Sequence, residues 1–455
     1  MKKNKIVGLL VMMLAFALIL VACAPGDDTE TDTSANNGTE TEVSNIPDTD
    51  TDTETDADTG GSDVGLSDFV QGVTDTHIYF ANSAATSGVL APVGVPFQAG
   101  MHAYIEMINA QGGIHGRELV YIHVDDEFQV GPGTAALDRF INDDEVFAIV
   151  GHFGTPVIGA TFPTLVETGI PTVYFAAGIG VVYNENATDG NGRNTFPVQP
   201  VFPMEGRLFA AWAAGEFEAE TIGLIYTNDD AGEDFLRGIN QELAVINAAR
   251  EADGLDAIEL VTAQVDPNPD DVTAAVATVL GSDVIIAGSI QGSIVQIVGG
   301  LAAQGNTAPV ITSYVNADVT ISAAVAPLVE GVFGLYASSW VDALTVTPQL
   351  EQYREWIAQV SDEDLAYNSF AMTGWIAMHF FVEGLERAGR DLTWANFIQA
   401  MEEAPIQNPF GPAIDFSNGN RVGTQDLALL RLDSSASLGW EAFLPFMNIS
   451  EILDQ

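Results

Sequence analysis

Histidine and aspartate side chains are the first candidates for chemistry in this 455-residue sequence. His115 and His123 lie close to Asp125 and Asp126 in the chain, and residues 123 and 125 would share one face of a strand. Imidazole and carboxylate groups brought together in this way bind divalent metal ions. The alternative is a solvated strand end. In so acidic a chain, neighbouring carboxylates are expected by chance, and we therefore predict neither a metal site nor a cofactor.

Motifs of the common enzyme classes are missing from the sequence. A dinucleotide-binding turn needs Gly-x-Gly-x-x-Gly directly after the first strand, but the sequence there reads SAATSGVLAPVG. It contains no phosphate-binding loop of the Walker type and no nucleophile elbow. His152, in IVGHFGT, follows an apolar run and either points into a cleft or is a structural histidine. We predict that the protein is not an enzyme.

The one cysteine, Cys23, lies after a basic start at residues 2–5 and a long apolar stretch. This layout is typical of an export signal, predicted at residues 1–22. The sequence LVAC, residues 20–23, resembles the lipobox of bacterial lipoproteins, in which the cysteine is lipidated and becomes the new N-terminus. That resemblance implies an extracytoplasmic protein held at the bacterial cell membrane by lipid on Cys23. The alternative is an uncleaved transmembrane anchor.

Residues 23–73 are predicted to form a disordered tether. Residues 27–63 carry thirteen Asp or Glu and no Lys or Arg, so they have too little apolar surface to repay the entropy of ordering. Every lysine of the chain lies in the predicted signal, and the formal net charge is −49. This charge argues against a nucleic-acid partner, and it repels anions at long range.

Apolar, strand-like runs alternate with helical patterns after the tether. The predicted strands of a first set are residues 77–83, 118–126, 146–153 and 170–177, and those of a second set are 221–229, 258–265, 283–289 and 308–315. Between the first two runs, apolar residues fall on one helical face, with Pro96 suited to the first turn and Gly112-Gly113 to the end. The alternation predicts two α/β lobes with parallel sheets. Ligands of such sheets bind beyond the carboxyl ends of the strands, so two facing lobes would form a cleft.

Residues 87–127, SGVLAPVGVPFQAGMHAYIEMINAQGGIHGRELVYIHVDDE, resemble the corresponding part of type I periplasmic binding proteins of the branched-chain amino acid kind. FINDDEVFAIVGHFGT, GIPTVYFAA, TNDDAGEDF and GSDVIIAGS continue the resemblance in the same order. The resemblance implies an α/β fold of two Rossmann-like lobes joined by three hinge crossings, near residues 195–202, 331–340 and 411–420. The lobes would hold residues 74–200 plus 338–412 and residues 201–337 plus 413–455.

The same resemblance implies a binding function. It predicts a monomeric receptor that captures a small organic ligand, an amino acid or a related compound, by hinge closure. Its partners would be the permease and ATPase subunits of an ABC importer. The alternative is a ligand sensor, of the amide or urea type, that signals through another membrane protein.

Ligand contacts of the amino acid receptors are only partly matched in this sequence. Thr155 stands where a Ser or Thr binds the ligand carboxylate; the alternative is that Thr155 only caps a helix beginning near Pro156. Tyr314 stands where a Glu takes the ligand ammonium group, with Asp230 or Asp318 as possible substitutes. The other implied positions are the backbone of Ala176, Ala177 and Gly178 and the covering residues Val93, Ala231 and Ile290. We therefore predict a pocket more apolar than the amino acid sites of the family.

Overall fold

The fold is described from a computed structural model, over residues 70–436 and 438–454. The predicted signal, Cys23 and all but the last residues of the predicted tether lie outside this part of the chain. Within it, no helix is both long enough and apolar enough to cross a membrane. The expectations about the anchor therefore stay predictions.

The last residues of the predicted tether contact the folded body. The Gln71 side-chain amide donates a hydrogen bond to the carbonyl oxygen of Val146 at 3.0 Å. Val73 forms an antiparallel bridge with Ile78, because the chain turns back on itself before it enters the first strand. Residues 71 and 73, which the prediction assigns to the tether, therefore contact the body; the boundary between tether and body stays a prediction.

Five parallel strands form the first sheet, in the order β2-β1-β3-β4-β5. The elements of this half are β1 (His77–Ala84), α1 (Ala91–Ala110), β2 (Glu118–Asp125), α2 (Val130–Asn142), β3 (Ala148–Phe153), α3 (Thr155–Thr168), β4 (Thr172–Ala176) and β5 (Thr195–Phe196). All six residues of the central strand β3 are buried, as expected for a parallel strand that is covered on both faces. The predicted α/β class is confirmed.

Seven strands form the second sheet, in the order β12-β11-β10-β9-β8-β6-β7. Its first elements are α4 (Phe202–Gly215), β6 (Thr221–Thr227), α5 (Asp230–Ala252), β7 (Glu259–Val265), α6 (Thr273–Val279), β8 (Val284–Gly288), α7 (Ile294–Ala303), β9 (Val310–Thr312), α8 (Val319–Val329) and β10 (Leu335–Ser339). The chain then returns to the first lobe as α9 (Pro348–Val360), α10 (Ser369–Ala388) and α11 (Trp394–Glu402), and ends in the second as β11 (Asp426–Leu432), β12 (Trp440–Asn448) and α12 (Ile449–Leu453).

The second sheet is parallel from β10 to β7, but β11 pairs antiparallel with both β10 and β12. A short connection between consecutive strands permits only antiparallel pairing, and β11 and β12 are consecutive. The sequence analysis predicts parallel sheets and does not anticipate this hairpin. It becomes important below, because one of its faces lines the candidate site.

Three crossings connect the lobes. The first follows β5, the second follows β10, and the third leads into β11. The third runs beside the first, since the Thr424 N–H donates to the Val198 carbonyl oxygen at 2.8 Å. The third crossing is predicted near residues 411–420. In the structure it lies just after them, because buried Arg421 still packs in the first lobe, with its guanidinium stacked on Phe196. The exact lobe boundaries stay a prediction, since sheet membership does not define which residues rotate together.

Helix α1 is longer at its start than predicted. It begins at Ala91, with Pro92 in its first turn, so that Pro96 lies inside the helix rather than at its start. Pro96 has no N–H to donate to the preceding turn. Helix α1 also packs closely against α10: a Cβ added at Gly100 or Gly374 would come within 2.0 Å of a backbone oxygen of the other helix.

Candidate functional site

A cavity of about 280 Å³ lies between the two lobes. Thr155 lines it just after β3 and Ala177 just after β4, while Tyr314 lines it from the second lobe, just after β9. Gln199 of the first crossing and residues 340–345 of the second crossing complete this part of the wall. The cavity therefore lies beyond the carboxyl ends of the strands, which is where open parallel sheets bind ligands.

Most of the residues proposed from the resemblance come together at this cavity. Those that line it are Val93, Thr155, Ala176, Ala177, Ile290 and Tyr314. Gly178, Asp230 and Ala231 do not line it. Gly178 lies directly behind the wall, where an added Cβ would be 2.8 Å from the Tyr314 hydroxyl oxygen. A contact between a ligand and any of these residues stays a prediction.

The start of α5 explains why Asp230 and Ala231 are turned away. Asp229 caps this helix by accepting a hydrogen bond from the Gly232 N–H at 2.9 Å. Gly232 approaches the end of β6 so closely that a Cβ would be 1.9 Å from the Thr227 carbonyl oxygen. This geometry buries Ala231 in the core and leaves Asp230 exposed beside α3.

Thr155 is the first residue of α3 and is 6% exposed. The N-cap of α3 is Gly154, at φ 91°, and no side chain caps the helix, so Thr155 does not serve as the cap. Among the described residues, the Thr155 hydroxyl has no hydrogen-bond partner. The first N–H groups of a helix also lack intrahelical partners, and the helix dipole favours an anion there. The arrangement suits a ligand oxygen that carries negative charge.

Tyr314 lies in a 3₁₀ helix, Tyr314–Asn316, that replaces the end of the strand predicted at 308–315. Its hydroxyl donates to the Pro200 carbonyl oxygen at 3.0 Å and accepts from Gln199 Nε2 at 2.8 Å. Gln199 Oε1 in turn accepts from the Tyr174 hydroxyl at 2.8 Å. Burial raises the pKa of Tyr314 well above its ordinary value. Tyr314 therefore stays neutral and cannot replace a carboxylate as the partner of an ammonium group.

Glu205 is a fully buried carboxyl group behind Tyr314. It accepts hydrogen bonds from the Tyr314 N–H at 2.8 Å, from the Ser313 hydroxyl at 2.7 Å and from the Ser338 hydroxyl. Burial raises the pKa of Glu205 to about 7, although these hydrogen bonds oppose the shift. Glu205 thus joins the start of α4, the turn that holds Tyr314 and the end of β10, which leads into the second crossing.

Asp318 is not free to bind a ligand ammonium group either. One of its carboxylate oxygens accepts from the Thr320 N–H and hydroxyl, and the other accepts from the Ser369 N–H and hydroxyl, at 2.6 to 2.9 Å. Because Ser369 begins α10, these bonds join the two lobes.

The sequence analysis missed Asp342, which lines the cavity from the second crossing. The signal available was its position, directly after a predicted hinge segment.

The histidines considered first have protein partners. His123 Nδ1 lies 3.0 Å from the Asn82 side-chain oxygen, and its Nε2 lies 3.1 Å from the Thr86 hydroxyl. His152 is buried under α3, with Nε2 2.7 Å from the Thr161 hydroxyl. Burial lowers the pKa of His152 to about 4. His152 is therefore a neutral structural histidine. This is the second of the two interpretations given above, the first being a histidine that points into a cleft.

Comparisons with known proteins agree with this architecture. A solved fatty acid ABC transporter substrate-binding protein from Thermomonospora curvata superimposes with a TM-score of 0.69 at 19% identity, over 86% of this chain and 96% of that one. A solute-binding protein of an ABC transporter from R. palustris, solved with benzoate, gives a TM-score of 0.66 at 18% identity, over 82% and 98%. At these identities the likeness shows the fold.

Sequence comparison gives the family. An amino acid binding protein of Pseudomonas aeruginosa is 25% identical over 172 residues, which are 37% of this chain and 41% of that protein. The chain thus matches about two fifths of the length of its curated relatives. The family model described as "periplasmic binding protein" matches residues 77–437. The chain therefore belongs to the periplasmic binding protein family, a family of solute-binding proteins rather than enzymes.

Proposed function

We propose that this protein is the extracytoplasmic solute-binding receptor of an ABC importer and that it captures a small organic ligand by hinge closure between its lobes. The observation that carries the proposal is the cavity itself. It lies between two lobes joined by three crossings, and residues of both lobes and of two crossings line it. Rotation about the crossings would open and close such a cavity. The permease and ATPase subunits are the proposed partners.

The lining favours an apolar carboxylic acid as the ligand over an α-amino acid. Thr155 and the start of α3 offer donors for a carboxylate, as described above. Tyr314 is neutral, and Asp318 is already fully hydrogen-bonded. Asp342 is the lining carboxylate that remains: its Oδ1 accepts from the N–H groups of Leu344 and Thr345 at 3.1 and 2.9 Å. Among the described residues its Oδ2 has no hydrogen-bond partner, so α-amino acids are the competing ligand class in the screen below.

The strongly negative charge of the chain does not exclude an anionic ligand. Repulsion between charges is screened beyond about 8–10 Å at ordinary ionic strength, so it affects the rate of approach more than the contacts in the cavity. Arg354 supplies a positive charge beside the cavity wall. Its guanidinium lies 4.8 Å from the ring centre of Tyr367, which lines the cavity. Among the described residues, Arg354 makes no ion pair.

A thermal-shift screen of the lipid-free protein tests the proposal. The panel holds aliphatic and aromatic carboxylic acids, the matching amides, α-amino acids and polyols. A ligand at a hundred times its Kd stabilises the folded state by about 2.7 kcal/mol, which is readily seen as a higher melting temperature. We expect shifts with the carboxylic acids and none with their amides. Shifts with α-amino acids alone would contradict the ligand class.

We further propose that lipid on Cys23 anchors the protein to the cell membrane. The anchor is separated from the body by the acidic tether, so Cys23→Ala is expected to release the protein from the membrane fraction without a change in ligand affinity. Cell fractionation and a binding titration measure the two effects. Retention of Cys23→Ala in the membrane fraction at the wild-type level would rule out the lipid anchor.

A further inference from the structure

The cavity extends beyond the cleft, along one face of the β11–β12 hairpin. Ala428 and Leu430 of β11 line it, and so do Trp440 and Ala442 of β12. Leu430 lies directly opposite Ala442 in the hairpin, so the two side chains share a face of the sheet. A small ligand that fits between the strand ends would be enclosed without this extension. The extension therefore indicates a longer ligand.

The rest of the wall of this extension is apolar except at Asp342. Val341, Ala343 and Leu344 of the second crossing line the same cavity. Trp440 has its indole N–H occupied, since it donates to the Asp318 carbonyl oxygen at 3.3 Å. Towards the end of the extension the wall becomes accessible, since Ala442 is exposed. We call this extension, bounded by residues 341–344 and by the hairpin residues named above, the tail channel.

We propose that the ligand is an elongated carboxylate whose aliphatic chain lies in the tail channel while its head group is bound at Thr155. The proposal rests on the proposed function and adds the shape and class of the ligand. Three observations support it: the channel belongs to the same cavity as the cleft, its walls are apolar except at Asp342, and the polar groups suited to an anion lie at the cleft end. Each methylene group buried in such a channel raises affinity by about fourfold.

The test is a calorimetric titration of the mature chain carrying Cys23→Ala with straight-chain carboxylates from butanoate to dodecanoate. In the parent protein, affinity is expected to rise with chain length over the whole series. Ala442→Trp places a large ring at the exposed end of the channel, where it does not disturb the core. It is expected to weaken dodecanoate binding at least tenfold and to leave butanoate binding unchanged.

Glu441→Trp is the matched control, because it adds the same side chain to the same strand on the opposite face of the sheet. This variant is expected to follow the parent protein over the whole series. Butanoate binding without any gain from longer chains would overturn the tail channel and leave the proposed function standing. Equal weakening of dodecanoate by Ala442→Trp and Glu441→Trp would overturn it as well. Failure of every carboxylate in the series to bind would overturn the tail channel, and it would overturn the proposed ligand class as well if the aromatic acids of the thermal-shift panel also fail.

Discussion

Thr155→Val is expected to weaken binding of a carboxylate ligand by roughly ten- to a hundredfold. Valine keeps the volume of the side chain but removes the hydroxyl, and a buried oxygen left without a partner costs about 1–3 kcal/mol, at about 1.4 kcal/mol per decade of affinity. The site is suited to this role because Thr155 is almost fully buried, lines the cavity and begins α3. Titration calorimetry of the parent protein and the variant gives the ratio directly.

A purely structural role for Thr155 gives a different result. If its hydroxyl mattered only for folding, Thr155→Val would lower the melting temperature of the ligand-free protein and leave the affinity unchanged. Thr164→Val is the control for valine in the same helix, since Thr164 is exposed on α3. We expect this control to bind like the parent protein. Unchanged affinity of Thr155→Val would contradict the assignment.

The second large effect concerns the pH dependence of stability through Glu205. The pKa of Glu205 is raised by burial from the usual 4.5 to about 7. Between these two pH values the folded state keeps a proton on Glu205 that the unfolded state has lost. Stability from this group is therefore fully present below pH 4.5 and is lost as the pH rises to 7. The shift corresponds to about 3 kcal/mol over that window.

Glu205→Gln removes this titration and keeps the shape of the side chain: its amide oxygen can accept from the Tyr314 N–H, and its NH2 group can donate to the Ser313 hydroxyl. Relative to the parent protein, the variant is expected to gain stability between pH 4.5 and 7 and to change little further above pH 8. Urea denaturation at several pH values measures the difference. Glu251→Gln, at an exposed position of α5, controls for the loss of one acidic group. A difference between Glu205→Gln and the parent protein that does not vary with pH would refute this explanation.

Local sequence patterns were sufficient to predict the two lobes, whereas Thr155 was identified from the family resemblance. Alternating strand and helix patterns indicate parallel sheets, and parallel sheets place the residues after each strand at a common edge. Thr155 lies two positions after the end of β3, so its place at the cleft agrees with the strand pattern. The lipid anchor and the importer partners remain predictions, because they concern residues outside the described part of the chain or other proteins.

Other features depend on contacts between residues that are far apart in sequence. Tyr314 is fixed by Gln199 and by Glu205, more than 100 positions away, and no local pattern indicates such partners. The hairpin that lines the tail channel joins β10 only after the chain has passed through α9–α11. The strand predicted at 308–315 ends at Thr312 for the same reason, because the Tyr314 N–H donates its hydrogen bond to Glu205 instead of to a neighbouring strand. The sequence therefore predicted the framework and part of the lining, but not the hydrogen bonds and the hairpin that complete the cavity.

Small-angle X-ray scattering of the lipid-free protein, with and without a saturating carboxylate from the thermal-shift screen, tests the central claim most directly. A receptor that captures its ligand between two lobes becomes more compact when the lobes rotate together. We predict a smaller radius of gyration with the ligand, and no change with the matching amide. An unchanged radius of gyration at saturation with a carboxylate that binds would contradict capture by hinge closure.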